Sequence, residues 1–355
     1  MRSRRDVVSV ALPFVLGIAV SLLVWAGPDK GSPTGLAFPP EKPDVVEYLS
    51  DEIGVYGTTR WRGSLLTLNG VSARRQGGAL GWGDIAGRDV AFWLHMGNDL
   101  RAIGLWWYGI PTVFEYNQLM SPFYYALAVR SLATRREVQQ RSIMVLSKAH
   151  EGVLRTLGVR FVLADRPINP QGGLVSRKRF PIRPGMKTPD KEVIEQVLLY
   201  EVPETNTGTF APVDIQYRST ATAILQVLHK PGFDPARTAV LERKISKRLV
   251  APNSIDFNFS RTGITLRVET DGESLIVLPL QYSHCLRTGD IQTKQDNVAP
   301  RLLRANLALT GVLVHGPMNL SIAFRNGPFE SPYCRFRDIA DGKRIGLGDL
   351  SSYWP

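Results

Sequence analysis

Residues 274–286 read SLIVLPLQYSHCL. The apolar part, followed by Gln281 and Tyr282, has the character of a β-strand. Neighbouring residues on a strand point to opposite faces, so His284 does not lie where it could act as a base for Cys285. Three chemistries are open to Cys285: a nucleophile or metal ligand, a buried free thiol, or half of a disulfide. A zinc site needs three or four ligands at workable spacing, and the five histidines and two cysteines of the chain show no such pattern. In an oxidising compartment two cysteines are most simply a pair, which gives the expectation of a Cys285–Cys334 disulfide.

Working outward, the flanking segments repeat a period of two. TAVLERKI, SIDFNFS, GITLRVET, TGVLVHG and NLSIAFR join SLIVLPLQY as short strands separated by Gly, Asn, Asp and Ser. Ile255, Phe257 and Phe259 alternate with polar residues, as do Leu320, Ile322 and Phe324. Regular short strands with one apolar face predict an antiparallel β-sandwich over 238–335. The remainder, 336–355, carries no strong signal and is read as a tail.

Upstream, 136–237 reads as a small α/β unit. QQRSIMVLSKAHEGVLRTLG puts Ile143, Leu146, His150, Val153, Leu154 and Leu157 on one helical face, with Gly158 as the stop. VRFVLAD, VLLYEVP and FAPVDIQY follow as strands, and STATAILQVLHK is a second helix ended by Pro231-Gly232. His150 and His229 sit on or near these apolar faces and read as packed histidines. Region 43–135 is mixed α/β and rich in aromatics, and begins with a short helix, VVEYLSDEIG, stopped by Gly54. Its stretch from Trp82 to Tyr125 interleaves rings with Asn98, Asp99, Glu115, Asn117 and Gln118. Rings that stack on pyranose C–H groups, beside amides and carboxylates that take hydroxyls, suit a glycan cleft. The same rings suit a membrane interface or a packed core. Trp106, Trp107, Tyr116 and Asn117 are the candidate glycan-binding residues, and Asp99 and Glu115 the candidate acids for catalysis.

Residues 27–42, rich in Gly and Pro, form a linker. Before them, Arg2, Arg4 and Arg5 precede the uncharged run Val7–Ala26. Twenty residues at 1.5 Å each cover roughly 30 Å, the thickness of a bilayer core. Segment 1–26 is therefore a transmembrane anchor or a cleavable signal, and either one exports the rest of the chain. The formal net charge is +11, and part of it clusters in SRKRFPIRPGMK, residues 176–187. That cluster fits anionic headgroups or an acidic polymer, or else a solvated basic loop. Nucleic acid is excluded for an exported chain, and neither a cofactor nor a metal is expected. No P-loop, dinucleotide fingerprint, Gly-x-Ser-x-Gly elbow or His-Glu-x-x-His motif occurs.

VLRTLGVRFVLAD, LYEVPETNTGTFAPV, TAVLERKI, LIVLPLQYS and LLRANLALTGVLVHGPMNLSIAFR occur in one order, with PPEKPDVVEYLSDE and YNQLMSPFYYAL upstream. This order resembles the extracytoplasmic C-terminal region of YfhO-like bacterial membrane proteins, which are related to GT-C-type glycosyltransferases. The resemblance covers most of 40–330 and rests on ordinary residues. It implies work on envelope polymers with a lipid-linked sugar donor. Family members carry many membrane helices and an early-loop catalytic acid, and this chain has neither. Ser283, His284 and Cys285 stand where the family often has a Pro-Gly-Trp turn.

The sequence therefore predicts an α+β protein with one N-terminal membrane helix. It would sit in the bacterial cytoplasmic membrane with its bulk extracytoplasmic. The expected role is an accessory or glycan-engaging domain of a membrane glycosyltransferase system, not catalytic alone, with a polytopic membrane protein and a lipid-linked sugar or envelope glycan as partners. The alternatives are a self-contained transferase or hydrolase using the acids of the aromatic region, and a structural envelope subunit without a ligand.

Overall fold

The computed structural model describes residues 44–55, 60–68, 105, 108–113, 121–133, 146, 148–164, 167–168, 173–181, 196–245, 248–260, 263–293, 299–324 and 332–348. Helices are α1 (Asp44–Ile53), α2 (Pro122–Leu132), α3 (Glu151–Thr156), α4 (Ala221–Leu228) and α5 (Pro332–Arg344). Strands are β1 (Ser64–Leu68), β2 (Val159–Ala164), β3 (Val175–Pro181), β4 (Gln196–Glu201), β5 (Asp214–Tyr217), β6 (Thr238–Leu241), β7 (Ser254–Ser260), β8 (Gly263–Glu269), β9 (Glu273–Gln281), β10 (Leu286–Thr293), β11 (Arg301–Ala305), β12 (Leu309–His315) and β13 (Met318–Phe324). The architecture is α+β, mostly strands in largely antiparallel sheets. The expected anchor at 1–26 and linker at 27–42 lie outside the described residues. Among those described, no helix is long and apolar enough to cross a membrane.

Three sheets are stacked through three apolar clusters. The first sheet has the order β1-β2-β4-β3, with β1 parallel to β2 and the other pairs antiparallel. One face of it takes Leu65, Phe161, Leu163, Val197 and Leu199 against Val45, Val46, Leu49 and Ile53 of α1. The alternate residues, Leu66, Leu68, Val162, Leu198 and Tyr200, face a second cluster built with α2, α3 and α4. The far wall of that cluster is a five-stranded sheet of order β5-β6-β11-β12-β9. Its other face meets a four-stranded sheet of order β10-β13-β8-β7.

Strand β9 shows how the sequence builds two walls at once. Leu275 and Val277 enter the helix-filled cluster, while Ile276 and Leu278 enter the cluster shared with Phe257, Leu266, Val268, Leu320 and Ile322. All four β9 residues are fully buried. Burying one such side chain is worth about 1.5–3 kcal/mol. A strand covered on both faces shows a continuous apolar run in place of alternation. β9 and β10 lie in different sheets, so the QYSHCL stretch is the crossover that closes one sheet on the other.

Several expectations meet the structure at particular residues. The division expected at 237/238 falls inside the five-stranded sheet, because β5 and β6 pair in parallel across the α4 crossover. The helix expected from residue 139 is shorter: α3 starts at Glu151, and His150 has extended backbone angles at its N-cap. Leu146 still reaches the core. Gly158 does stop this helix, at φ 74°, where a Cβ would meet Pro279 Cβ at 2.7 Å and the Asn206 carbonyl oxygen at 2.8 Å. The basic segment 176–181 is part of an edge strand, β3, and not a loop. Helix α5, 332–344, straddles the expected boundary at 335/336, taking in the end of the expected sandwich and the start of the expected tail.

Candidate functional site

The described part of the aromatic stretch lies in cores. Leu105, Ile110 and Tyr108 pack in the α1 cluster, and Phe123 and Tyr124 pack in the cluster with α2, α3 and α4. Trp106, Trp107, Tyr116, Asn117, Asp99 and Glu115 lie outside the described residues. The polar side chains that the fold does bring together are elsewhere, where α5 meets the β9–β10 crossover.

Beyond Gln281 the chain leaves β9 in a tight turn, with the Leu286 amide donating to the Ser283 carbonyl at 3.0 Å. The turn points its polar groups at α5. The Ser283 hydroxyl donates to Asp338 Oδ2 at 2.6 Å, and the His284 amide donates to Asp338 Oδ1 at 2.9 Å. His284 Nε2 meets Asp341 Oδ2 at 2.8 Å, and Tyr282 Oη lies 3.4 Å from His284 Nδ1. Because a carboxylate only accepts, the proton is assigned to Nε2 and Nδ1 accepts from Tyr282. Cys285 is bonded to Cys334, one turn before Asp338 on α5, with the two Cα atoms 5.0 Å apart.

A second layer of charge closes the node. Arg304 of β11 grips Glu242 with Nε at 2.6 Å and Nη2 at 3.0 Å, and its Nη2 lies 3.6 Å from Asp341. Its guanidinium lies 3.5 Å from the ring centroid of Phe123 on α2, a stacked cation–π contact. Both members of the Arg304–Glu242 pair are buried, with side chains 5% and 7% exposed. Arg344 of α5 donates to Glu242 at 2.7 Å and to Asp341 at 3.3 Å. Gln281 adds a link to α2 by accepting from the Ser121 amide at 2.9 Å.

Burial sets the electrostatics. Desolvation pushes the Asp338 carboxyl above its ordinary range, against the pull of its bonds from Ser283 and His284. Asp341 also loses solvation, but the bond from His284 and the charges of Arg304 and Arg344 hold its carboxyl below the ordinary range. Desolvation raises the Tyr282 hydroxyl. Tyr282, His284 and Asp341 thus form a hydrogen-bonded acid–base chain. Its neighbouring nucleophiles are engaged: Cys285 in the disulfide and Ser283 with Asp338. As arranged, the chain fastens α5 to the sheets. Among the described residues, no group of three or more His, Cys, Asp and Glu side chains is placed to hold a metal ion.

Sequence reasoning found Cys285 and Cys334 but missed Asp338, Asp341, Arg304 and Glu242. A signal was present: Cys334, Asp338 and Asp341 are spaced to share one face of a helix, with Pro332 at its start and Lys343 and Arg344 at its end. His284 is more than a bystander of Cys285, because its amide and its ring each bond a carboxylate of α5.

A half-buried pair of histidines lies where the start of α3 meets the end of α4. The rings of His150 and His229 are 4.8 Å apart, and His229 Nε2 meets the Ser131 hydroxyl at 2.8 Å. Desolvation, with His150 and Lys148 nearby, pushes His229 down to about 4. Desolvation also lowers His150. On β3, Arg177 pairs with Glu201, and Lys178 lies over the rings of Tyr48 and Phe180 at 4.9 and 5.0 Å. This basic edge is therefore partly tied to its own sheet. Comparison of the chain with family models, curated proteins and solved structures found no match.

Proposed function

We propose that this chain is an exported, membrane-tethered accessory domain of a membrane glycosyltransferase system acting on cell-envelope polymers. Val7–Ala26 is the tether, with Arg2, Arg4 and Arg5 left in the cytoplasm. The observation that carries the reading is the Cys285–Cys334 disulfide, which belongs to an oxidising, extracytoplasmic compartment. The YfhO-like order of segments supports a connection to lipid-linked sugar transfer. The binding of the node's polar groups to one another supports a role in assembly over turnover by this chain alone. The C-terminal strands act as a β-sandwich held to α5, and Trp106, Trp107, Tyr116 and Asn117 are the glycan-engaging residues.

Affinity purification of the full-length chain in mild detergent, with partners identified by mass spectrometry, tests this reading. A polytopic membrane protein recovered in comparable amount is expected. A chain that purifies alone and has no glycan affinity contradicts it. Trp106→Ala and Trp107→Ala should abolish glycan binding without changing the unfolding midpoint, and retained affinity in both would remove the aromatic site.

A further inference from the structure

Helix α5 is fastened from beneath, and its outward face is unusual for a surface helix. Tyr333 and Phe336 are 80% and 63% exposed, the largest values among the exposed large hydrophobic residues described. They stand three residues apart and so share one patch. The same face continues with Arg337, Ala340, Lys343 and Arg344, all exposed. Arg344 is occupied by Glu242 and Asp341. Arg337 and Lys343 form no ion pair among the described residues.

We propose that this face of α5 rests on the anionic headgroup layer of the bilayer, with Tyr333 and Phe336 entering the interface and Arg337 and Lys343 meeting lipid phosphates. The proposal rests on the reading of the chain as membrane-tethered and names the surface that the tether brings into contact. Aromatic rings beside cations, along roughly 16 Å of helix, are the composition of an interfacial helix. Each basic side chain near an anionic leaflet adds attraction that a neutral leaflet does not provide. A protein partner fits less well: two rings make a patch far below the area that a stable interface buries, and lysine is depleted from such interfaces. The node and the disulfide hold α5 rigid, so contact does not require the helix to order on binding.

The full-length chain carrying benzoylphenylalanine in place of Phe336 is reconstituted in nanodiscs, with the same replacement of exposed Val213 as the control. After irradiation, adducts are identified by mass. Lipid adducts are expected at position 336 and not at 213, and at least about fivefold more in phosphatidylglycerol discs than in phosphatidylcholine discs. Arg337→Glu with Lys343→Glu, both exposed and neither in an ion pair of the node, should erase that lipid preference while the Cys285–Cys334 cross-link persists. Adducts at 336 no more frequent than at 213, or adducts to protein only, overturn the proposal. The tether is read separately by carbonate washing of membranes. A chain that stays bound but gives no lipid adduct keeps the tether and loses the α5 contact. A chain that washes off loses the tether, and flotation of the released protein with phosphatidylglycerol vesicles then decides the α5 contact: flotation supports it and its absence overturns it.

Discussion

The charges beneath α5 and the half-buried histidines between α3 and α4 both lose solvent, but the fold accommodates them by different means. Under α5, Glu242 and Asp341 are matched by Arg304 and Arg344, and a disulfide closes the same seam. At the other place, His150 and His229 stay neutral and lean on each other and on Ser131. A site that pairs its ions keeps them charged and depends on every partner. A site that avoids ions depends on pH. The first is a joint between elements distant in sequence, and the second is core packing with a titratable surface.

Removing one partner of the joint should have the largest effect. Arg304→Ala leaves Glu242 buried without its main cation and removes the stack on Phe123, and such losses cost about 3–5 kcal/mol. Urea unfolding measures this, and a loss below about 1 kcal/mol would mean the pair is not buried as described. Next is the covalent half of the joint. Replacing Cys285 and Cys334 with Ser should cost about 2–4 kcal/mol, because the bridge closes a sequence separation of 49 residues. An unchanged midpoint would show that the node holds α5 without it.

The histidine pair should give a smaller effect with a definite pH window. His229 titrates near 4 in the folded chain against 6.5 unfolded, so between those values the unfolded chain binds more protons. Stability should therefore be flat above about pH 6.5, fall as the pH drops towards 4, and lose at most about 3 kcal/mol from this group. Glu151 and Lys148 are the charged neighbours, and neither pairs with His229. His229→Gln should flatten the decline, and an unaltered pH profile would place its cause elsewhere. The smallest effect belongs to Glu204→Ala, at one exposed end of the Arg155 pair, with a change within about 1 kcal/mol.

The same contrast explains what the sequence disclosed. The half-buried strand β7 showed its alternation through Ile255, Phe257 and Phe259, because one of its faces is wet. β9 was legible as an apolar run, since both of its faces are covered. β3 gave no strand signal because Val175, Ser176, Arg177, Lys178 and Arg179 are all exposed on a sheet edge, leaving only Phe180 as a core anchor. α5 was missed for a different reason. Its inward positions include Cys334 and the fully buried Asp338, so the apolar repeat that marks a helix is replaced by a carboxylate. Arg304 and Glu242 were invisible as a pair because they are distant in sequence and only β-pairing brings them together. Asn306 offers a more legible cue, because asparagine tolerates the left-handed backbone of a turn: it sits at φ 49° with its Oδ1 accepting from the Val240 amide.

The central claim is that the joint under α5 is closed covalently, which is the observation behind the proposed extracytoplasmic setting. Non-reducing peptide mapping of the native, thiol-blocked chain tests it most directly. The account predicts a single cross-linked pair joining the Cys285 peptide to the Cys334 peptide. Recovery of both cysteines blocked as free thiols would contradict the covalent joint and remove the main support for the proposed compartment.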